Sequence, residues 1–250
     1  MKIREIYEFL DSVAPYETQC PWDNSGLMVG SCENETDSVL LCLDCTNDVI
    51  AQAVASGVKL IVSHHPLIFH PVKYVEENTP LYNAVKSGIT VISAHTNLDM
   101  AIGGVNDSLC DTLGIKNVQP LFAEGAPIMR MGECDFGSAK DFARFCSETL
   151  GNSVKFSDGG KKVNKVAVCG GAGGEYIYDA FSAGCDTFVT GEAKHHEYLD
   201  AKRLGINLLV AGHFSTENIV LDSLCEKLTE TFHGLKVTVA REECPYETVV

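Results

Sequence analysis

Residues 58–66 read VKLIVSHHP, and the fold class can be read outward from them. A short β-branched apolar run ends abruptly in two adjacent histidines, His64 and His65. A run of that length without polar alternation is the pattern of a strand buried on both faces, as in a parallel sheet. The same grammar recurs at residues 38–46 (SVLLCLDCT), 89–99 (ITVISAHTNLD), 163–174 (VNKVAVCGGAGG), 185–196 (CDTFVTGEAKHH) and 206–217 (INLLVAGHFSTE). In each, polar or glycine residues follow the apolar run at once. Helix-like segments alternate with the runs. Residues 47–57 (NDVIAQAVASG) place Val49, Ile50, Ala53 and Val54 on one side, with Gly57 as the C-cap. Strands alternating with helices predict an α/β fold with largely parallel sheets, whose ligands bind at the carboxyl ends of the strands.

The rest of the chain fits this frame. Ile3, Ile6, Leu10 and Val13 share a helical face at the N-terminus, which carries charges throughout and does not read as a signal peptide. Residues 127–136 (PIMRMGECDF) read as a strand leading to a helix over 138–150 capped by Ser138, and residues 157–162 as a turn. AEGAP, at residues 123–127, suggests a boundary between two similar α/β lobes, 1–125 and 126–250. With 250 residues, 45% of them hydrophobic, the chain can bury a sizeable core, and no apolar run approaches the ~18 residues of a membrane span. A net charge of −15 argues against a nucleic-acid footprint but not against a phosphorylated metabolite bound through a metal. Eleven cysteines read as reduced thiols of a cytoplasmic protein. Cys42 and Cys45 form a C-x-x-C on a strand, where they are expected to face opposite sides and be buried.

The chemistry-bearing residues all follow strand-like runs. His64 and His65 are candidate metal ligands, with one packed and one solvated as the alternative. Asp99 is placed to bridge two cations, or to cap a helix. His213 and Glu217, four apart, share a face if a helix begins there. Together His64, His65, Asp99, His213 and Glu217 supply three imidazoles and two carboxylates. A structural zinc is satisfied by four ligands, so this set suits two divalent cations bridged by carboxylate. Mixed nitrogen and oxygen donors suit Zn, Fe, Mn, Co or Ni. CGGAGG, residues 169–174, lacks the third glycine of a dinucleotide fingerprint, since Tyr176 stands there; it reads as a tight turn, or as a loop presenting N–H groups to phosphate. Trp22 and Asp23 read as anchors of the loop entering the first strand.

WDNSGLMVG, LDCTNDVI, SHHPLIF, AHTNLDMAIGGVND, CGGAGG, TGEAKHH and GHFSTE, in that order across nearly the whole chain, resemble the family of GTP cyclohydrolase 1 type 2 homologues, the Nif-three-like dinuclear metal proteins. The resemblance implies that His64, His65, Asp99, His213 and Glu217 are the metal ligands. It also implies that the two α/β lobes face a dinuclear metal cleft and that the chain, in the family's short form, assembles as a toroidal homohexamer. The family activity would open the imidazole ring of guanine with release of formate. His95 reads as a partner of the ligands or a proton shuttle, or as a histidine hydrogen-bonded within its loop; His195 and His196 read as substrate contacts or as a solvated helix start, and Glu192 as a candidate general base. The expected function is metal-dependent hydrolysis of a nucleotide-like or phosphorylated small molecule; the alternative is a non-catalytic metal-binding or regulatory hexameric scaffold.

Overall fold

The computed structural model describes residues 1–247 and divides into two compact units. The first comprises Met1–Ile102 and Leu221–Glu243; the second comprises Gly103–Val220 and the residues from Cys244 onward. The chain therefore changes unit at Ile102, not near residue 125. AEGAP is instead a hairpin turn inside the second unit, with Glu124 and Gly125 at φ 53° and 82°.

In the first unit the order is α1 (Ile3–Val13), β1 (Gly26–Val29), β2 (Ser38–Cys42), α2 (Asn47–Ser56), β3 (Leu60–Ser63), α3 (Pro80–Lys86), β4 (Thr90–Ser93) and α4 (Thr96–Met100). The runs that end in LDCT, HHP and AHTNLD are β2, β3 and β4. They pair in parallel, with Cys42, Ser63 and Ser93 in one row at their carboxyl ends. Every residue of these strands is buried, which explains their unalternating composition. β1 runs antiparallel to β4 at the edge. Ile3, Ile6 and Leu10 of α1 are buried as expected. Thr46 caps α2 through its hydroxyl and Gly57 ends it at φ 74°. Val49, Ile50 and Ala53 face the core, but Val54 is exposed.

The second unit contains α5 (Val105–Thr112), β5 (Lys116–Ala123), β6 (Ala126–Phe136), α6 (Ala139–Leu150), β7 (Lys155–Ser157), β8 (Val163–Cys169), α7 (Ile177–Ser182), β9 (Thr187–Thr190), α8 (His195–Leu204), β10 (Asn207–Val210) and α9 (His213–Glu217). β8, β9 and β10 form the parallel centre of a sheet ordered β5-β6-β8-β9-β10-β7, and the flanking pairs are antiparallel. Phe142 on α6 is fully buried, with its ring 4.8 Å from that of Phe136.

The chain then returns to the first unit. α10 (Val220–Thr231) leads to β11 (Lys236–Val239), which adds in parallel to β2 and completes the order β1-β4-β3-β2-β11. The two units share a plan. Each has three successive parallel strands joined by single helices, and the third strand is followed by a five-residue helix, α4 or α9. The histidine-to-carboxylate spacing of four recurs here, from the N-cap His95 to Asp99 of α4 and from His213 to Glu217 within α9.

Candidate metal centre

In the first unit the site grows from the carboxyl ends of β2, β3 and β4. His64 and His65 follow β3 directly, and their backbone N–H groups donate to Cys42 O and Leu43 O at 3.0 and 2.9 Å, extending the ladder by two residues. The His64 Nδ1 lies 2.9 Å from Ala94 O. A carbonyl only accepts, so Nδ1 carries the proton and Nε2 presents its lone pair. That Nε2 lies 3.5 Å from Asp99 Oδ1. Asp99 is inside α4, whose N-cap is His95, so the capping alternative for this carboxylate does not hold.

His65 is oriented by Asp44, which accepts from Nδ1 at 2.8 Å. Asp44 sits in the turn after β2, and the Glu242 carboxylate fixes that turn by accepting from the backbone N–H groups of Leu43 and Asp44 at 2.7 and 2.9 Å. Burial raises the Glu242 pKa against those two hydrogen bonds. His95 donates Nδ1–H to Asp23 at 2.8 Å, and its ring packs edge-on to Trp22. Asp23 also accepts from the Thr96 N–H and hydroxyl. Burial works to raise the Asp23 pKa, but the hydrogen bonds from His95 and Thr96 outweigh it and hold the carboxyl well below its usual range. Trp22 and Asp23 thus serve His95 rather than merely anchoring a loop. One ring nitrogen or other donor atom from each of His64, His65 and His95 lies within 4.8 Å of the others.

In the second unit, His213 opens α9 and Glu217 closes it one turn later, with His213 Nε2 and Glu217 Oε2 3.0 Å apart. Glu192, two residues beyond β9, accepts from His213 Nδ1 at 2.9 Å. The residue read from sequence as a general base is therefore engaged in holding a histidine. Gly171 and Gly191, each just past the neighbouring strand, pack against α9. A Cβ on Gly171, which is at φ 61°, would overlap the Glu217 carboxylate and lie 3.2 Å from His213 Nε2. A Cβ on Gly191 would come within 2.7 Å of Thr216 Oγ1. Four N–H groups of CGGAGG are taken by the protein: Gly170 donates to Asn106, Gly171 to Thr216, Gly173 to Thr190 and Gly174 to Glu192 O. The loop is a tight turn that moulds the packing of α9.

The donor set fits divalent metal ions. In both units an imidazole lone pair faces a carboxylate oxygen, acceptor to acceptor, so a proton or a metal cation must lie between them. Separations of 3.0 and 3.5 Å match two donors at about 2.0–2.2 Å from one shared cation. The other nitrogen of each imidazole is held by a carbonyl or carboxylate, the usual support of a metal-ligating histidine. His195 and His196 stand apart from these groups, both exposed in the first turn of α8. No thiol enters either cluster. Cys42 and Cys45 do not face opposite sides: β2 ends at Cys42, and the two side chains hydrogen-bond within one core cluster. Burial pushes the Cys110 and Cys146 thiols up to about 12. Sequence reasoning missed Asp44 and the role of Asp23; the only signal was a carboxylate placed near a strand end, at LDCT and PWDN.

No helix among the described residues is long and apolar enough to cross a membrane. A family model described as Duf34/NIF3 (NGG1p interacting factor 3) matches residues 1–245. The GTP cyclohydrolase 1 type 2 homolog of Clostridium perfringens is 34% identical over 263 residues, covering 100% of each chain. A hypothetical protein of Staphylococcus aureus has a crystal structure similar at a TM-score of 0.92, with 30% identity over 100% of this chain and 99% of that one. Reduced HcgD from Methanocaldococcus jannaschii is similar at 0.82, with 29% identity over 96% of this chain and 97% of that one. By the span of the family model and the identity of these relatives, the chain belongs to the Duf34/NIF3 family.

Proposed function

We propose that the chain holds two divalent cations through His64, His65 and Asp99 of the first unit and His213 and Glu217 of the second, and that it is a metal-dependent hydrolase. The observation that carries this reading is the facing of imidazole lone pairs and carboxylate oxygens in each unit, with every such imidazole fixed from behind. Bound cations would supply Lewis acidity, polarising an electrophilic carbon or phosphorus and lowering the pKa of water. Zn, Fe, Mn, Co and Ni all suit the donors. Asp44 and Glu192 orient His65 and His213. His95, with Nδ1 on Asp23, has its second nitrogen available to hold or pass a proton at the substrate.

The substrate class is a nucleotide-like or phosphorylated small molecule. The relatives' name supports GTP cyclohydrolase chemistry, opening the guanine imidazole ring with loss of formate. From the motif resemblance we further propose a toroidal homohexamer, and eleven free cysteines support a cytoplasmic setting. The alternative of a non-catalytic scaffold draws on the engagement of Glu192 with His213, which leaves His95 as the one candidate for proton transfer. Assaying GTP, other nucleotides and phosphate esters with each metal separates the two. Turnover abolished by His65→Ala and by Glu217→Ala supports the hydrolase. Stoichiometric metal without turnover of any of these compounds supports the scaffold.

A further inference from the structure

A cavity of about 540 Å³ lies at the carboxyl edge of the second unit's parallel strands. Its size is that of small-molecule sites, about 300–1,000 Å³, and its position is where open α/β sheets bind ligands. Glu192 and Gly212, which flank the candidate ligand His213, form one end. Tyr198 of α8 and Lys155, which opposes Val210 in the sheet, also line it. Another wall is Tyr246, from the segment after Glu243. Its phenol is held by the Asn152 side chain, and a Cβ on Gly212 would lie 3.0 Å from the Tyr246 oxygen. Asn152 is itself fixed, donating to Ala211 O and Ser215 Oγ at 3.2 and 2.9 Å. An aromatic side chain anchored through its hydroxyl therefore stands next to the residue preceding a candidate metal ligand.

We propose that this cavity is the substrate subsite, taking a planar heteroaromatic ring against Tyr246 and an anionic substituent at Lys155. The inference rests on the metal-hydrolase reading and names the residues that recognise its substrate. Two tyrosines offer the faces on which a ring stacks, and stacking is tolerant of ring identity. Lys155 is the one basic residue in the lining, in a chain of net charge −15. Glu192 is engaged with His213 and Glu247 also lines the cavity, so Lys155 offers the cavity one cationic contact, enough for a single anionic substituent. A nucleoside monophosphate has this chemistry.

The test is calorimetric titration of the purified protein with GMP and with guanosine, alongside metal content by elemental analysis. The expected result is GMP binding that Lys155→Ala weakens about ten-fold while leaving guanosine binding unchanged. Tyr246→Ala weakens both about ten-fold, and both variants keep the wild-type metal content. Wild-type affinity for GMP in Lys155→Ala, or a metal-replete wild type that binds no GMP, overturns the subsite. GMP binding with this pattern in a protein that holds no metal leaves the subsite standing and removes the hydrolase reading instead. Lys155 is exposed, so its variant decides the matter even where Tyr246→Ala fails to fold.

Discussion

His65 owes its orientation to Asp44, 2.8 Å from Nδ1, and this residue pair was only half legible. The histidine announced itself by standing at the end of an apolar run. The aspartate did not, because its meeting with His65 depends on a turn that Glu242 holds from 198 residues away. Loss of such an orienting carboxylate typically lowers metal affinity about 10- to 100-fold. Asp44→Asn is expected to do so in a competitive chelator titration while the far-ultraviolet circular dichroism stays unchanged. Asp23 allows a prediction in pH. Its folded pKa lies below its unfolded value of about 3.9, so its stabilisation is present above that pH and lost as pH falls through the folded value. Asp23→Asn is expected to cost about 1.5–3 kcal/mol in urea unfolding at pH 7. The difference from wild type is expected to shrink as the solution is acidified.

Six of the seven strands read from sequence, β2, β3, β4, β8, β9 and β10, are the parallel strands at the centres of the two sheets, built mostly of buried residues. β5, β7 and β11 escaped notice because their burial is partial: β5 is exposed at most positions and contains Pro120, β7 has three residues, and β11 joins β2 from across the sequence. Antiparallel β1 is four residues long with Leu27 exposed. The glycine loop was legible as a turn, but its purpose depends on α9, a segment distant in sequence, packing against it. Gly171→Ala is expected to displace Glu217 and His213 and to abolish high-affinity metal binding, as read by the same chelator titration. Gly57→Ala, also at positive φ but with nothing within 4 Å of its Cβ, is the control and is expected to leave metal binding intact. The fully buried Phe142 anchors an aromatic cluster with Phe136 and Phe145, and Phe142→Ala is expected to cost about 3–5 kcal/mol in denaturant unfolding.

At the scale of the whole molecule, the repeated plan explains why no sequence repeat is visible. Equivalent strand ends carry different residues: Asp44 in one unit stands where Gly171 does in the other, each two positions past the aligned row of strand ends. His64 and His65 likewise correspond to Gly191 and Glu192. At these positions the first unit carries side-chain donors and the second mostly glycine, while both units keep a carboxylate on the short helix after the third strand. The homohexamer is tested by sedimentation velocity, with six chains per particle expected. The decisive measurement is the metal stoichiometry of protein purified without chelator, by inductively coupled plasma mass spectrometry. Two divalent cations per chain are expected, lost on chelation and reduced in His65→Ala and Glu217→Ala; metal-free protein that takes up none on reconstitution contradicts the account.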